Sequence, residues 1–490
     1  MALLAVLQTF SAAGVLFGWN ALETALRAEG VFEHLCGAAA VAAGDGCSAQ
    51  TMRLALLFTV GATVQTVASL PVGALLDRFG PRRTTVCSAV AFGLGMLCLA
   101  LASAQRHGFY YPAVTLLGLA SPGLLFSTFH ISVLFAGAGR DKLVVALLNG
   151  GFDASSAVFM IFEQLSRDPG VPLSTLAAAY GGTVSIGLAA IALFAWPDDS
   201  FEMAPAAGSP PLPTTAAAAT PPEPPKPLGK VPPTPVQQPP ALEEDLSAMP
   251  FRSQVRSRTF VMQLCFFCVH MLKFTWYIST LFKQLEQMGQ DPDDPSQLRL
   301  FSVLLPCGII LNPLVGWLMD HAPFYASTAF ASATALVFGA VASSMELGAQ
   351  PAAFVAFAVF RSSFYSVTTA FVTATFGFTN FGKLWGLTIF VSAFVSLLQY
   401  LFLHFVYASF DGRFNFFNHF MTGLNVLSFA FPVWLWAQQK ARPAPGGGGG
   451  GGGGQTVARS GPAAGGGDGG SEKHVVAVAA MAQVSPSASI

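Results

Sequence analysis

Charge is what this sequence has least of. Asp, Glu, Lys and Arg make up 10% of its 490 residues, against roughly 25% in soluble globular chains. So few charges cannot cover the water-facing surface of a chain this long. With 53% hydrophobic residues and a mean hydropathy of +0.57, an ordinary soluble fold is excluded. A basic excess is missing too: the formal net charge is −1, whereas nucleic-acid binders need a basic patch that displaces counterions. Neither H-E-x-x-H nor G-x-S-x-G occurs. Gly377-Phe-Thr-Asn-Phe-Gly-Lys383 matches most of a phosphate-binding loop. However, Leu384 stands where a Ser or Thr would hold Mg²⁺, and an apolar run replaces the preceding strand. The expectations are no enzyme activity, no ATP, no cofactor, no metal and no nucleic-acid partner. N-x-[ST] sequons are also absent, so N-glycosylation is not expected.

What is present is apolar length. Phe alone, at 44 residues, outnumbers Lys and Arg together at 24. A helix needs about 20 apolar residues to cross a hydrocarbon core of about 30 Å, and backbone groups in lipid must be satisfied within the segment. Such runs lie near 3–26, 54–76, 84–104, 109–136, 143–165 and 173–196, then near 259–283, 298–319, 324–345, 351–376, 384–407 and 415–437. The expected fold is an all-α polytopic membrane protein with twelve transmembrane helices in two six-helix bundles, residues 1–196 and 258–438. Between them, 197–257 is a Pro- and Ala-rich linker, too proline-dense for a packed core. The tail, 439–490, holds consecutive glycines at 446–454 and is expected to be disordered.

Lys and Arg set the orientation. With the N-terminus in the cytosol, fifteen fall in cytosolic segments and seven on the other side. Both termini and the linker are then cytosolic. No cleavable signal is needed, because the first run is too long for a signal-peptide core.

Gly73-x-x-x-Asp77 closes the second run and Gly316-x-x-x-Asp320 the eighth, with the two Asp 243 positions apart. Lys142-Leu143 opens the fifth run and Lys383-Leu384 the eleventh, 241 apart. Two markers at nearly one offset indicate a duplicated six-helix unit. Gly73-Ala-Leu-Leu-Asp77-Arg78-Phe-Gly80-Pro-Arg82-Arg83 resembles the signature between the second and third helices of the major facilitator superfamily. In that resemblance Gly73 permits close helix approach, Asp77 meets a neighbouring helix N-terminus and Gly80 makes the tight turn. Arg78, Arg82 and Arg83 hold the loop at the cytosolic headgroups. The second copy lacks the basic residues.

Three charges stand inside runs, where each costs at least about 2.5–3.5 kcal/mol: Asp153, Lys273 and Arg361. Asn149 and Asp153 share one helix face. Asp153 and Arg361 come from opposite halves and fit a pair across a central cavity that breaks during alternating access, or else a permanent buried pair or internal packing polarity. Lys273 either snorkels or stacks near Trp276. Trp19, Asn20, Phe129, His130, Trp276 and Tyr365 add flat faces and hydrogen-bonding edges, and with Asn149, Asp153 and Arg361 they are the candidate substrate-binding residues. Cys36 and Cys47 share the first outer loop and are expected to form a disulfide, whereas Cys265-Phe-Phe-Cys268 reads as small apolar residues.

Several stretches resemble the solute carrier 43 family: Ala13-Gly-Val-Leu-Phe-Gly-Trp19, 149–159 from Asn149, Arg361-Ser-Ser-Phe-Tyr365, Phe381-Gly-Lys-Leu-Trp-Gly386 and 392–399. The resemblance runs from about 3 to 438 and is strongest to the family's equilibrative nucleobase-carrying branch. It implies sodium-independent facilitated diffusion of purine nucleobases across the plasma membrane, with a neutral amino acid as the alternative small-molecule substrate and the lipid bilayer as surroundings. The missing sequon and Asn20 after Trp19 depart from the family pattern.

Overall fold

The computed structural model describes residues 1–37, 48–197, 246–290, 296–410 and 412–441. Every regular element among them is helical. Ten helices are each long and apolar enough to cross a bilayer, and the bent pair Ala2–Ala13 and Val15–Ala28 makes an eleventh. Ser48–Leu101 leaves helical geometry at Gly80 (φ 78°, ψ 172°), which divides it into two spans and gives twelve. In chain order these are the broken first span, then 48–79, 81–101, His107–Ala136, Asp141–Arg167 and Leu173–Ala195. The second set is Arg258–Gln287, Ser296–His321, Phe324–Ala342, Leu347–Phe376, Phe381–Ser409 and Asn415–Lys440. The protein is therefore a multi-pass membrane protein, with two sets of six spans among the described residues.

The turn at Gly80 follows from its residue types. A positive φ is open to glycine without a Cβ penalty, and Pro81 starts the third span where a missing N–H costs nothing. Large apolar side chains lie on the outside of the bundles, among them Ile186, Phe194, Ile310, Leu314 and Val337. That exposure suits a hydrocarbon solvent, where burial of apolar surface no longer drives helix association. Packing, small residues and polar contacts take over. In the second half the interior is a phenylalanine core of Phe267, Phe338, Phe357, Phe360 and Phe364. Phe338 and Phe360 lie parallel with centroids 5.8 Å apart.

The first span breaks at Gly14. Thr9–Ala13 is a π turn, Val15–Gly18 a 3₁₀ turn, and the two arms meet at 48°. The fifth span is interrupted between Ala154 and Ala157. The two breaks pack on each other: a Cβ on Gly14 would strike the Phe152 carbonyl and Ser155 hydroxyl, and one on Gly18 would strike the Ser156 carbonyl. Phe17 meets Phe152 edge-on at 5.5 Å.

The end of the linker range is structured. Leu246–Ala248 and Phe251–Arg256 are short helices, fastened where Gln254 donates to the Phe376 carbonyl (3.2 Å) and accepts from Asn380 (3.0 Å). The rest of the Pro-rich stretch and the Gly-rich tail lie outside the described residues, as does Cys47. Cys36 is disulfide-bonded.

Candidate functional site

Asp153, Lys273 and Arg361 are the buried Asp, Glu, Lys or Arg residues among those described. They are the same three that stand inside apolar runs in the sequence. Two of them meet. Arg361 Nη2 on the tenth span lies 2.7 Å from Asp153 Oδ1 on the fifth, with side chains 4% and 7% exposed. The pair joins the two halves of the chain. Removing one partner of such a pair costs about 3–5 kcal/mol, because the other charge is left buried alone.

The surroundings come from three further spans. The carboxylate lies against Gly308 of the eighth span, where a Cβ would collide with it. Asn312, one turn on, hydrogen-bonds to the Asp153 side chain, while its own Oδ1 accepts from Ser366 at 2.6 Å. The guanidinium faces Phe17 of the first span at 5.7 Å and Phe274 of the seventh at 5.9 Å. Its Nε has no hydrogen-bond partner. Tyr365 follows one turn after Arg361, donates to Met271 Sδ at 3.1 Å and packs edge-on against Phe274 at 6.0 Å. Asn149 is buried one turn before Asp153 and donates to the Val145 carbonyl. The assembly has no net charge, presents both donors and acceptors, and is walled by aromatic faces.

The other predicted residues make their bonds elsewhere. Trp19 donates to Glu23 (3.2 Å) and packs on Phe58. Exposed Asn20 donates to Ser302 (3.3 Å), a second contact between the halves. Trp276 donates to Asn418 (2.9 Å) inside the second half. Phe129 and His130 meet Phe381 at 5.8 and 6.1 Å, and His130 meets Phe378 at 5.0 Å. They belong to a contact at the start of the eleventh span. Asn312, Phe17 and Phe274 escaped sequence reading.

The two repeat markers form a second set of contacts between the halves. Asp77 accepts from the backbone N–H groups of Gly382 (2.7 Å) and Lys383 (2.9 Å), and Lys383 Nζ is 3.7 Å from its carboxylate. This caps the eleventh span with a charge-assisted pair of bonds. Gly73 and Gly382 touch backbone to backbone. In the diverged copy, Asp320 accepts from the Leu143 N–H, Lys142 donates to the Met319 carbonyl (2.8 Å) and Gly316 rests on Leu143. The basic residues of the first copy have separate tasks. Arg82 donates to the Trp196 carbonyl (2.8 Å), Arg78 lies over Phe79 and Arg83 is exposed.

Residues 9–398 match the family description of the Major Facilitator Superfamily. Protein FMP42 of Saccharomyces cerevisiae is 29% identical over 425 residues, 76% of this chain and 82% of that protein. Equilibrative nucleobase transporter 1 of Bos taurus is 27% identical over 434 residues, 81% of this chain and 87% of that protein. Large neutral amino acids transporter small subunit 3 of Homo sapiens is 25% identical over 487 residues, 81% and 86% of the two chains. Among solved structures, the E. coli fucose:proton symporter FucP superposes with a TM-score of 0.57 at 12% identity, covering 88% of this chain and 97% of that one. At that identity the likeness shows the fold.

Proposed function

Because the chain belongs to the Major Facilitator Superfamily and is a transporter by that membership, we propose that it carries purine nucleobases by facilitated, alternating-access diffusion, as a member of the solute carrier 43 family. The observation that carries this reading is the Asp153–Arg361 pair between the two halves, flanked by Phe17, Phe274 and Tyr365. A purine is flat, neutral and edged with donors and acceptors. The carboxylate matches ring N–H groups, the guanidinium matches ring nitrogens and carbonyl oxygens, and the rings match its faces. A neutral site and a neutral cargo need no coupling ion. The cargo would enter from the side opposite Asp77 and loosen the pair. The halves would then part at the Asp77 and Asp320 contacts. By the distribution of Lys and Arg, the Asp77 side is cytosolic and both termini lie there; the resemblance to the solute carrier 43 family points to the plasma membrane.

The same pair favours a second reading. A large neutral amino acid carries an ammonium that suits Asp153 and a carboxylate that suits Arg361, and one relative bears such a substrate in its name. Uptake of labelled adenine and labelled leucine, measured in parallel in one transfected cell line, separates the two. Saturable adenine uptake supports the nucleobase reading, whereas saturable leucine uptake without adenine uptake sinks it. In either case Arg361→Ala is expected to reduce transport to background with protein still at the surface. Its absence from the surface would make the pair a folding element.

A further inference from the structure

Lys273 is the third buried charge, and it differs from the other two. Among the described residues no carboxylate pairs with it, and its side chain lies in the second half alone. Nζ donates to the Ala335 carbonyl (3.0 Å) and to Thr422 Oγ1 (3.4 Å), and sits 5.2 Å from the Phe338 ring centre. An ammonium has three N–H donors, so one is unspent. One turn later, Tyr277 is 3% exposed and its hydroxyl has no partner. Both residues line a cavity of about 220 Å³ counting its mouth, between the seventh, ninth and twelfth spans.

The other polar groups of that cavity are occupied with one another. Thr422 gives its proton to the Asn418 carbonyl (2.8 Å) and receives Ser343 (3.3 Å). Asn418 accepts from Trp276 and donates to Gln284 (2.8 Å). The unfilled functions are therefore one N–H of a cation and one phenol O–H, both donors. A buried cation without a counter-charge is costly, and an anion removes that cost. The cavity is half open, with room at its base for about one small particle, which suits a monatomic anion. Ser343 immediately follows the ninth span and Asn418 is in the first turn of the twelfth. The cavity therefore runs from mid-span Lys273 towards the ends of the ninth and twelfth spans on the side opposite Asp77.

We propose that chloride binds between Lys273 and Tyr277 and completes the packing of the second half. The site is separate from the Asp153–Arg361 pair and independent of what the protein carries. Phe274, the residue after Lys273, faces Arg361, so the ion also steadies one wall of the central site.

The test is thermal unfolding of the purified full-length chain in lipid nanodiscs, in sodium chloride, bromide or gluconate at equal ionic strength. Chloride and bromide should raise the midpoint over gluconate by about 2 °C or more, with saturation. Lys273→Met keeps the volume and removes the charge, and should abolish the difference. Tyr277→Phe should move the half-saturating chloride concentration up by roughly tenfold, as loss of one hydrogen bond to an ion does. No halide effect in the unaltered protein overturns the proposal, and so does an equal effect in Lys273→Met. If Lys273→Met does not fold, an unchanged half-saturation in Tyr277→Phe overturns it.

Discussion

The two copies of the repeat marker do one job with unequal strength. At the first, Asp77 takes two backbone N–H groups of the eleventh span and has Lys383 within 3.7 Å. At the second, Asp320 takes the Leu143 N–H of the fifth span, and its Oδ1 is unpartnered. Lys142 aligns with Lys383 in the repeat but reaches the Met319 carbonyl instead of the aspartate. The residue before each lysine accounts for the difference. Gly382 lets the second span approach backbone to backbone. Asp141 stands in the corresponding place, and its charge opposes Asp320 while competing for the same helix N-terminus. Divergence has kept the contact and reduced its hold, so the cytosolic closure, in the orientation proposed above, is asymmetric.

That asymmetry can be broken in graded steps. Gly73→Val attacks the stronger contact directly, because the added side chain meets the Gly382 backbone. Uptake is expected to fall to background, more than a hundredfold, with protein still at the cell surface. Asp77→Ala removes the cap and should cost the closed arrangement about 0.5–2 kcal/mol, read as roughly a tenfold loss of uptake. Asp320→Ala should cost well under half as much, about a twofold loss. Equal losses from the two aspartates would refute the asymmetry. Asp141→Gly makes the second site resemble the first and should shift uptake least, by a factor of about 1.5, through a tighter fifth-span contact. Its effect should vanish in an Asp320→Ala background, and persistence there would show that Asp141 acts elsewhere.

How much was legible beforehand depended on how rare each signal was. Charges are scarce here, so the three inside apolar runs stood out, and all three prove to be buried. Complementary sign and opposite halves sufficed to expect Asp153 beside Arg361. The signature's Gly80 announced a turn that the backbone makes with positive φ. Aromatic residues carried no such contrast. With 44 Phe in the chain, Phe17 and Phe274 looked like any others, while the more conspicuous Trp19 and Trp276 are tied to Glu23 and Asn418. Neutral polar residues are similarly quiet. Asn312 matters because it bridges Asp153 and Ser366, which neither its type nor its local pattern states.

The paired breaks of the first and fifth spans have a mechanical consequence. A straight helix passes motion along its axis, but two helices interrupted where they mesh at Gly14 and Gly18 are built to flex as one. Phe17 sits on one break and faces Arg361, and Asp153 lies just before the other. Any tilt of the upper arms therefore shears the aromatic wall across the ion pair. The joint is a gear: one tooth is backbone without a side chain, and the load it turns is the salt bridge.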